Sequence, residues 1–477
     1  MLRLVTLSLW LSMFSSLVLA EPGNWPQFRG PNGAGLAVGN RPLPDKVGPE
    51  ENVIWKTALP PGHSSPAIFG DRVYVTAIKD QTLLTIALDR ESGRVLWEYD
   101  APYQKLEEVH RIGNRAQPSP ATDGKHVVSF FGSCGLFCYD TSGKKLWDAP
   151  LGPFKNEFGA GSSPMVVDGR VLLNQDHDLD SALMCFDAAT GKKLWTADRS
   201  EFPRGYASPM IWEVEGKKQV VVAGCLRVVG YDWDTGREVW TVRGLARVMN
   251  MTPVVTTDGT LVVGGWAAGA EADDLIRPEP FPDMLAAHDK NKNGTIESGE
   301  MPKGALSQRY SQIDRDKDGH ITRDEYENMK RIFEEARNLI VAIKPGGKGD
   351  VTETHVLWKQ ERFLPYIPSP LYVDGHVYMV KDGGIFSCLD AKTGKPAKQG
   401  RVAGTDSYYA SPVYGDGKIY TLCANGQLTV LKAGPQWSQI STAKFEEEAY
   451  ATPALVDGRI YVRTAGHLYC FGLTDAK

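Results

Sequence analysis

Three features that would place this chain in other protein classes are missing from its sequence. Its seven cysteines include no adjacent pair and no Cys-x-x-Cys-His motif, so a c-type haem site is excluded. No basic stripe runs along the chain, whose net charge is −5, so we expect no nucleic-acid partner. After the first twenty residues no apolar run is long enough to span a bilayer.

Residues 1–20 have the pattern of a signal peptide. Arg3 supplies the positive start, residues 4–11 begin the apolar stretch, and Ala20 ends a small-residue cleavage site. The alternative is an uncleaved membrane anchor, but serine and threonine interrupt the apolar stretch, which is short for a span. We therefore expect an exported protein, periplasmic or extracellular, with an N-terminal extension at residues 21–50.

A Ser/Thr-Pro dipeptide recurs eight times in the remaining chain. Each copy is followed by apolar runs separated by turn sequences, with a Thr/Ser-Gly-Lys/Arg turn before a final run that carries tryptophan. Four short strands per copy at this spacing are typical of a β-propeller. The prolines are Pro66, Pro120, Pro164, Pro209, Pro253, Pro370, Pro412 and Pro453.

The segment from the third to the fourth strand is the most specific part of the repeat. Residues 87–97 recur as 138–147, 185–195 and 230–240, and each copy places tryptophan four residues after glycine. We expect this ring to face a small residue on the neighbouring blade, with a partner for its indole N–H. The small residues are Ala87, Cys138, Cys185, Gly230, Ala342, Cys388 and Cys470. The four cysteines are therefore predicted to be buried, unpaired thiols.

This tryptophan pattern resembles the docking motif of quinoprotein-like propellers, the pyrroloquinoline quinone (PQQ) repeat family. The resemblance covers roughly residues 50–473 apart from one insertion. It weakens in blade six, where Lys398 replaces the tryptophan, and in blade seven, where Trp437 is offset by one position.

The eighth copy ends at Leu473, before its outer strand, and residues 52–56 upstream of the first copy have that missing strand with Trp55. Closing the ring in this way removes the open sheet edges. The predicted fold is all-β: an eight-bladed β-propeller formed by residues 51–270 and 339–473 and closed by an N-terminal strand.

The insertion, residues 271–338 in blade five, contains two EF-hand loop patterns in tandem. Calcium prefers hard oxygen ligands, which this loop supplies at alternating positions around one ion. One such match could be an acidic turn, whereas two resemble the compact EF-hand modules of exported bacterial proteins, which implies two calcium ions. The predicted ligands are Asp289, Asn291, Asn293, Thr295, Glu297 and Glu300, then Asp314, Asp316, Asp318, His320, Thr322 and Glu325.

Residues just before each proline are predicted to meet on the propeller face that carries the insertion. A ring of tyrosines and arginines there could bind an anionic or sugar-like ligand, or it could be a solvated rim without a ligand. The candidate ligand residues are His63, Arg115, Gln117, Arg204, Tyr206, Arg247, Asn250, Tyr409 and Tyr450. On the same face, His177 between Asp176 and Asp178 is compatible with a metal ligand or with a polar hairpin.

Three functions are compatible with these patterns. The first is an exported binding or scaffold propeller, similar to the scaffold propeller of the bacterial outer-membrane assembly machinery, with a protein, a glycan or a small anion as partner. The second is a PQQ-dependent dehydrogenase, but the adjacent cysteines and a recognisable Glu/Asn/Asp set for its calcium are missing. The third, a polysaccharide hydrolase or lyase, has no identifiable triad or carboxylate pair. We favour the binding function, because fold resemblance alone is weak support for chemistry.

Overall fold

The computed structural model describes residues 23–37, 39, 41–271 and 275–473, so the predicted signal peptide lies outside the described residues. Strand β1 (Val53–Ala58) precedes the first blade. Blade one contains β2 (Ala67–Phe69), β3 (Arg72–Lys79), β4 (Thr82–Asp89) and β5 (Val95–Ala101). Blade two contains β6 (Ala121–Thr122), β7 (His126–Phe131), β8 (Gly135–Asp140) and β9 (Lys145–Ala149). Blade three contains β10 (Met165–Val167), β11 (Arg170–Gln175), β12 (Ala182–Asp187) and β13 (Lys193–Asp198).

The next three blades follow the same order of strands. Blade four contains β14 (Met210–Val214), β15 (Lys217–Gly224), β16 (Arg227–Asp232) and β17 (Glu238–Arg243). Blade five contains β18 (Val254–Val255), β19 (Leu261–Gly265), β20 (Leu339–Ile343) and, after the short β21 (Gly349–Asp350), β22 (Val356–Gln360). Blade six contains β23 (Leu371–Val373), β24 (His376–Lys381), β25 (Ile385–Asp390) and β26 (Pro396–Arg401).

The last two blades complete the ring. Blade seven contains β27 (Val413–Gly415), β28 (Lys418–Leu422), β29 (Gln427–Lys432) and β30 (Ser438–Lys444). Blade eight contains β31 (Ala454–Val456), β32 (Arg459–Arg463) and β33 (His467–Gly472), with β1 as its outer strand. Strand β1 pairs antiparallel with β33 and places Trp55 opposite Cys470. The predicted eight-bladed all-β propeller and its closure by the N-terminal strand are therefore confirmed.

The tryptophans join successive blades, but in a different way from the prediction. Where the blade has its tryptophan, the small residue lies opposite that ring in the same blade, as in Cys138 opposite Trp147, and not on the neighbouring blade. The expectation was wrong because the repeat pattern gives the spacing of residues but not the register between strands. The partner from the next blade is a turn glycine: a Cβ atom at Gly191 would lie 2.6 Å from the Trp147 ring.

The indole N–H of the same tryptophans donates to a backbone carbonyl of the next blade. Such a bond satisfies a buried donor and fixes the angle between two sheets at once. The five bonds are Trp55 to Arg90 (3.0 Å), Trp97 to Thr141 (3.1 Å), Trp147 to Ala188 (2.8 Å), Trp195 to Trp233 (3.1 Å) and Trp358 to Ala391 (2.9 Å).

Two blades are joined to the next blade by other side chains. In blade six, Lys398 donates to the carbonyl of Trp437 in blade seven at 2.5 Å and lies 4.6 Å from the centre of that ring. In blade four, Trp240 donates to Gln219 of its own sheet at 2.6 Å, while Trp212 reaches the carbonyl of Gly259 in blade five at 2.9 Å. Beside Trp240 the turn of blade five is long, and its strand β21 pairs in parallel with β17.

All seven cysteines are buried and none of them forms a disulfide. The four predicted at the small-residue position are there, including Cys470 opposite Trp55 and Cys388 opposite Lys398. Burial raises the pKa of Cys138 to about 12 and that of Cys185 to about 11, which keeps these thiols protonated and unreactive.

The N-terminal segment 23–37 crosses the ring, which the sequence analysis did not predict. Trp25 exchanges two backbone hydrogen bonds of 2.7 Å with Ile68 in blade one. Farther along, the side chain of Asn32 makes two bonds of 2.8 Å to the backbone of Ile211 in blade four. Ala37 then donates to Tyr414 in blade seven at 2.7 Å. The segment therefore runs across the inner strands and closes one end of the central channel.

Between β19 and β20 the chain leaves blade five and forms a small helical insertion. Its helices are α1 (Phe281–His288), α2 (Tyr310–Ile313) and α3 (Arg323–Glu335), and a fourth, α4 (Thr352–His355), follows β21. Apolar side chains of the three helices form one buried cluster, including Tyr326, Met329 and Phe333 of α3. Ile296 and Ile321 pair through two backbone hydrogen bonds of 3.1 and 3.0 Å, so the two acidic loops lie side by side. No helix among the described residues has the length and apolar character needed to cross a bilayer.

The docking of glycine on tryptophan can be tested with a matched pair of substitutions. Gly191 and Gly169 both have φ of +71°, but a Cβ at Gly169 would meet nothing within 4 Å. Because the backbone strain is shared, we expect Gly191→Ala to lower the free energy of unfolding by about 1–3 kcal/mol more than Gly169→Ala, owing to overpacking against Trp147. Urea unfolding of both variants measures the difference. Equal losses would mean that this contact does not hold the blades together.

Candidate functional site

A cavity lies on the axis of the propeller and is open on the face of the insertion. Its volume is about 200 Å³. Phe28 of the crossing segment contributes from the closed end. All eight blades contribute the loop before their first strand, through His63, Gln117, Gly161, Tyr206, Asn250, Ile367, Tyr409 and Tyr450 among others.

A belt of hydroxyl groups surrounds the axis one layer below the mouth. The members are the serines and threonines that precede the eight prolines, and all but one of them donate their backbone N–H to the side-chain oxygen of the next member. Seven such bonds of 2.9–3.0 Å link Ser65 to Ser119, Ser119 to Ser163, Ser163 to Ser208, Thr252 to Ser369, Ser369 to Ser411, Ser411 to Thr452 and Thr452 to Ser65. A hydroxyl that accepts such a bond can still donate its own proton to a ligand. The belt members that line the cavity are Ser65, Ser119, Ser163, Ser369, Ser411 and Thr452.

The belt explains why the Ser/Thr-Pro dipeptide recurs. The serine or threonine before each proline supplies both groups that the belt uses, its backbone N–H and its side-chain hydroxyl. Ser208 and Thr252 are the one neighbouring pair without this bond within the described residues, and the Thr252 hydroxyl has no partner there. The sequence showed the repeat but not the belt, because its bonds join residues more than forty positions apart.

Aromatic rings and amides form the wall above the belt. His63 stacks on Tyr450 with ring centres 4.1 Å apart, and Tyr409 lies 5.0 Å from Tyr450. Gln117 donates to the carbonyl of Phe158 at 2.8 Å, and Asn250 donates to that of Tyr366 at 2.9 Å. The wall therefore offers stacking faces held in place by bonds between neighbouring blades.

The lining of the cavity carries no charge at neutral pH. Burial, with the charge of Arg463, lowers the pKa of His63 to about 3, so its imidazole is neutral. Burial also raises the pKa of Tyr450 to about 12 and that of Tyr206 further. None of the residues described in the lining is an aspartate, glutamate, lysine or arginine.

The three predicted arginines lie outside this cavity, unlike the other six candidate ligand residues. Arg115 turns away and donates to the backbone of Glu107 at 2.7 Å. Arg204 and Arg247 line a second, neighbouring pocket toward the insertion, which shares Tyr206 with the axial cavity. Sequence spacing placed the arginines near the mouth but could not show the direction of their side chains.

The acidic hairpin around His177 holds the neighbouring loops together. Asp176 pairs with Arg199 through bonds of 2.7 Å, and both side chains are fully buried. Asp178 accepts two bonds of 2.7 and 3.0 Å from Arg204. His177 itself stacks on Phe154. With both carboxylates bonded to guanidinium groups, the arrangement favours the polar hairpin over a metal site.

The second acidic loop of the insertion brings its carboxylates together. Asp314, Asp316 and Glu325 each present an oxygen within 4.8 Å of the others. Burial raises the pKa of Asp314, and the nearby charge of Glu325 raises it further. Glu325 also forms a capping box with Thr322 at the start of α3, so one carboxylate belongs to both loop and helix.

In the first loop the predicted ligands bond to one another. Asn291 and Asn293 donate to Glu297 at 3.0 and 2.5 Å, and His320 of the second loop lies 3.1 Å from the same carboxylate. Glu300 accepts from the backbone of Lys290 at 2.8 Å. The donor set is the one that calcium prefers, but it carries fewer carboxylates than the second loop.

The second loop is also the one that contacts the propeller. Lys155 donates to the carbonyl of Asp316 at 3.1 Å, and Arg315 donates to that of Ser200 at 3.4 Å. Gln312, on the helix that leads into the loop, donates to Glu157 at 3.3 Å. These contacts connect the loop to blade three and to the pocket beside the axial cavity.

Comparisons with known proteins agree with this architecture. Residues 49–159, 113–269 and 339–476 match the family model described as outer membrane protein assembly factor BamB, which confirms the resemblance to PQQ-type repeats. No curated protein sequence matches the chain significantly.

Solved structures share the fold at low sequence identity. BamB from Moraxella catarrhalis is 15% identical with a TM-score of 0.56, over 88% of this chain and 99% of that chain. A europium-containing methanol dehydrogenase is 12% identical with a TM-score of 0.61, over 95% and 98%. Quinohemoprotein alcohol dehydrogenase from Comamonas testosteroni is 13% identical with a TM-score of 0.52, over 94% and 80%. These similarities show the propeller fold alone.

The neutral His63 makes the stability of the propeller depend on pH. Its pKa of about 3 lies below the ordinary value of 6.5, so the unfolded chain binds a proton between these values that the folded chain does not bind. The free energy of unfolding therefore falls as the pH falls below about 6.5. We expect His63→Gln to lose less stability than the wild type between pH 7 and pH 5 in urea unfolding. His376→Gln, outside the cavity, is the control, and a slope unchanged in His63→Gln would contradict the assignment.

Proposed function

Since the chain belongs to the family of the outer membrane protein assembly factor BamB, we propose that it is an exported binding or scaffold module. Its ligand enters the axial cavity from the face that carries the helical insertion, and the insertion binds calcium. The observation that supports this proposal best is the cavity itself. It is closed at one end by the crossing segment and lined by uncharged polar and aromatic groups from all eight blades.

The chemistry of the lining limits the classes of ligand that the cavity can bind. Aromatic faces such as Tyr450 and Tyr409 suit a ring, while free hydroxyl protons and the amides of Gln117 and Asn250 suit a ligand with many oxygen acceptors. Of the three partner classes considered, a glycan matches this combination better than a free anion inside the cavity. A polar segment of a protein partner is the other class that the lining accommodates.

The dehydrogenase alternative was tested against the same lining. PQQ carries three carboxylates and acts together with a metal ion, so its site needs cationic side chains and hard oxygen ligands. The described lining of the axial cavity contains neither a carboxylate nor an arginine or lysine. The residues present do not fit the quinone with its metal, and we propose no redox step at this site.

The proposal for the cavity can be tested by saturation-transfer NMR with a panel of neutral and acidic oligosaccharides and of short peptides. We expect at least one oligosaccharide to bind and its affinity to fall by about tenfold in Tyr450→Ala, because a stacking face is lost. Tyr103→Ala, in an outer groove, should bind as the wild type does. The proposed function would be wrong if the affinity were unchanged in Tyr450→Ala, or if no compound of the panel bound. Dye reduction by the protein with PQQ and calcium would replace it with the dehydrogenase.

For the insertion we propose two calcium ions of unequal affinity. The second loop offers carboxylates from Asp314, Asp316, Asp318 and Glu325, whereas the first has asparagine at two of those positions. Ligand charge raises affinity for calcium, and extracellular sites of this kind can be as weak as roughly 10⁻⁴ to 10⁻³ M. The mutual repulsion of the carboxylates makes the second loop less stable without an ion and increases the ordering caused by calcium.

Calorimetric titration of calcium into two matched variants tests this difference. We expect Glu325→Gln to remove the tighter binding event and Glu300→Gln the weaker one, because each replaces the last carboxylate of one loop. The reverse assignment would show that charge does not decide the order. Heats unchanged in both variants would mean that the loops do not bind calcium.

A further inference from the structure

The second pocket, beside the axial cavity, combines residues of the propeller and of the insertion. Arg204 and Arg247 come from the loops before blades four and five, and Gln308, Arg309 and Gln312 come from the segment that enters the second acidic loop. The pocket shares Phe158, Tyr206 and Tyr366 with the axial cavity, so the two spaces adjoin.

One of the three arginines in this pocket is fully compensated. Arg204 binds both oxygens of Asp178 and also Glu157, at 2.6 Å. Glu157 in turn accepts a bond from Gln312. Arg204 therefore has two carboxylates for one positive charge and serves to hold the wall of the pocket.

The other two arginines have no such partner. Arg247 donates to the carbonyl of Ala268 at 3.0 Å, and Arg309 donates to that of Ala305 at 2.9 Å. Both guanidinium groups lie against the ring of Phe333, 5.4 and 5.9 Å from its centre. Neither lies within 4.0 Å of a carboxylate in the part of the chain that the structure describes.

The electrostatic setting of this pair is unfavourable without an anion. Arg247 is largely buried, and its pKa is lowered by burial and by the positive charge of Arg309. Both guanidinium groups line the pocket, and within the described residues each makes one hydrogen bond, to a backbone carbonyl, so most of their N–H donors remain available to a ligand. Such a pair is suited to the oxygens of a carboxylate, sulfate or phosphate group.

We propose that Arg247 and Arg309 bind an acid group of the ligand whose uncharged body lies in the axial cavity. This inference rests on the proposed function in one respect only, the presence of that body in the cavity. It identifies the ligand class as an acidic sugar or acidic oligosaccharide, with the ring on the tyrosines and the oxyanion at the arginine pair.

The position of Arg309 in this pocket implies that the insertion takes part in ligand binding. Arg309 ends the short 3-10 turn Ser307–Arg309, and helix α2 then leads directly into Asp314 of the second acidic loop. The position of Arg309 therefore depends on the order of that loop. The propeller supplies one arginine and the insertion supplies the other, so the oxyanion site is complete only when the insertion is docked.

The test is calorimetric titration of the full chain, in calcium-containing buffer, with inorganic sulfate, glucuronate and glucose as separate probes. We expect sulfate and glucuronate to bind and each to weaken by about tenfold in Arg247→Gln and in Arg309→Gln, as loss of one charged hydrogen-bonding partner predicts. Arg323→Gln is the matched control, because Arg323 also stacks on an aromatic ring of the insertion, Phe281, but does not line the pocket.

The outcomes separate this inference from the proposed function. Sulfate binding that is lost in both arginine variants and unchanged in Tyr409→Phe supports the oxyanion site, even if no sugar binds and the proposed function fails. Glucose binding as tightly as glucuronate overturns the oxyanion site and leaves the axial cavity as a neutral sugar site. Binding of the anions that is unchanged in Arg247→Gln and Arg309→Gln overturns it as well. Thermal unfolding of each variant checks that the insertion is still folded, and Arg309→Lys, which keeps the charge, should retain most of the affinity.

Discussion

The bond from a tryptophan indole to a backbone carbonyl of the next blade is the interaction on which this propeller depends. A four-stranded sheet cannot bury both faces by itself, so each blade needs a defined position against its neighbours. The ring of Trp147 rests on Gly191 while its N–H reaches Ala188, and no residue larger than glycine fits there without displacing the ring. Trp55 repeats this contact between the last blade and the first, where the two ends of the chain meet.

The axial site follows from this arrangement of blades. Eight equivalent loops converge on the axis, which is why eight serines or threonines can form a belt and eight positions above them can form a mouth. Residues from all eight blades line the site, so a ligand there would contact distant parts of the chain. The insertion adds a large departure from symmetry beside the mouth.

Much of the fold was predictable because the same sequence pattern recurs from blade to blade. Eight copies of one pattern identified the blades, and the truncated last copy identified β1 as the closing strand. The side on which Cys138 meets a tryptophan could not be predicted, because spacing along the chain does not give strand register. The crossing segment around Trp25 was missed because it has no counterpart in the repeat. At the site, Arg309 was missed because it lies in an insertion, and only the folded chain brings it beside Arg247.

The contact between blades four and five, here called their seam, lacks two bonds that are found elsewhere in the described part of the ring. Trp240 bonds within its own sheet, and the belt is interrupted between Ser208 and Thr252. Trp212 and the short strand β21 join the two sheets there instead. Local opening of a protein begins where the fewest cooperative contacts must break together. A closed ring whose belt of hydroxyl groups is interrupted at one seam within the described residues therefore has a defined place at which its sheets separate first, and blade five, which carries the insertion, lies on one side of that seam.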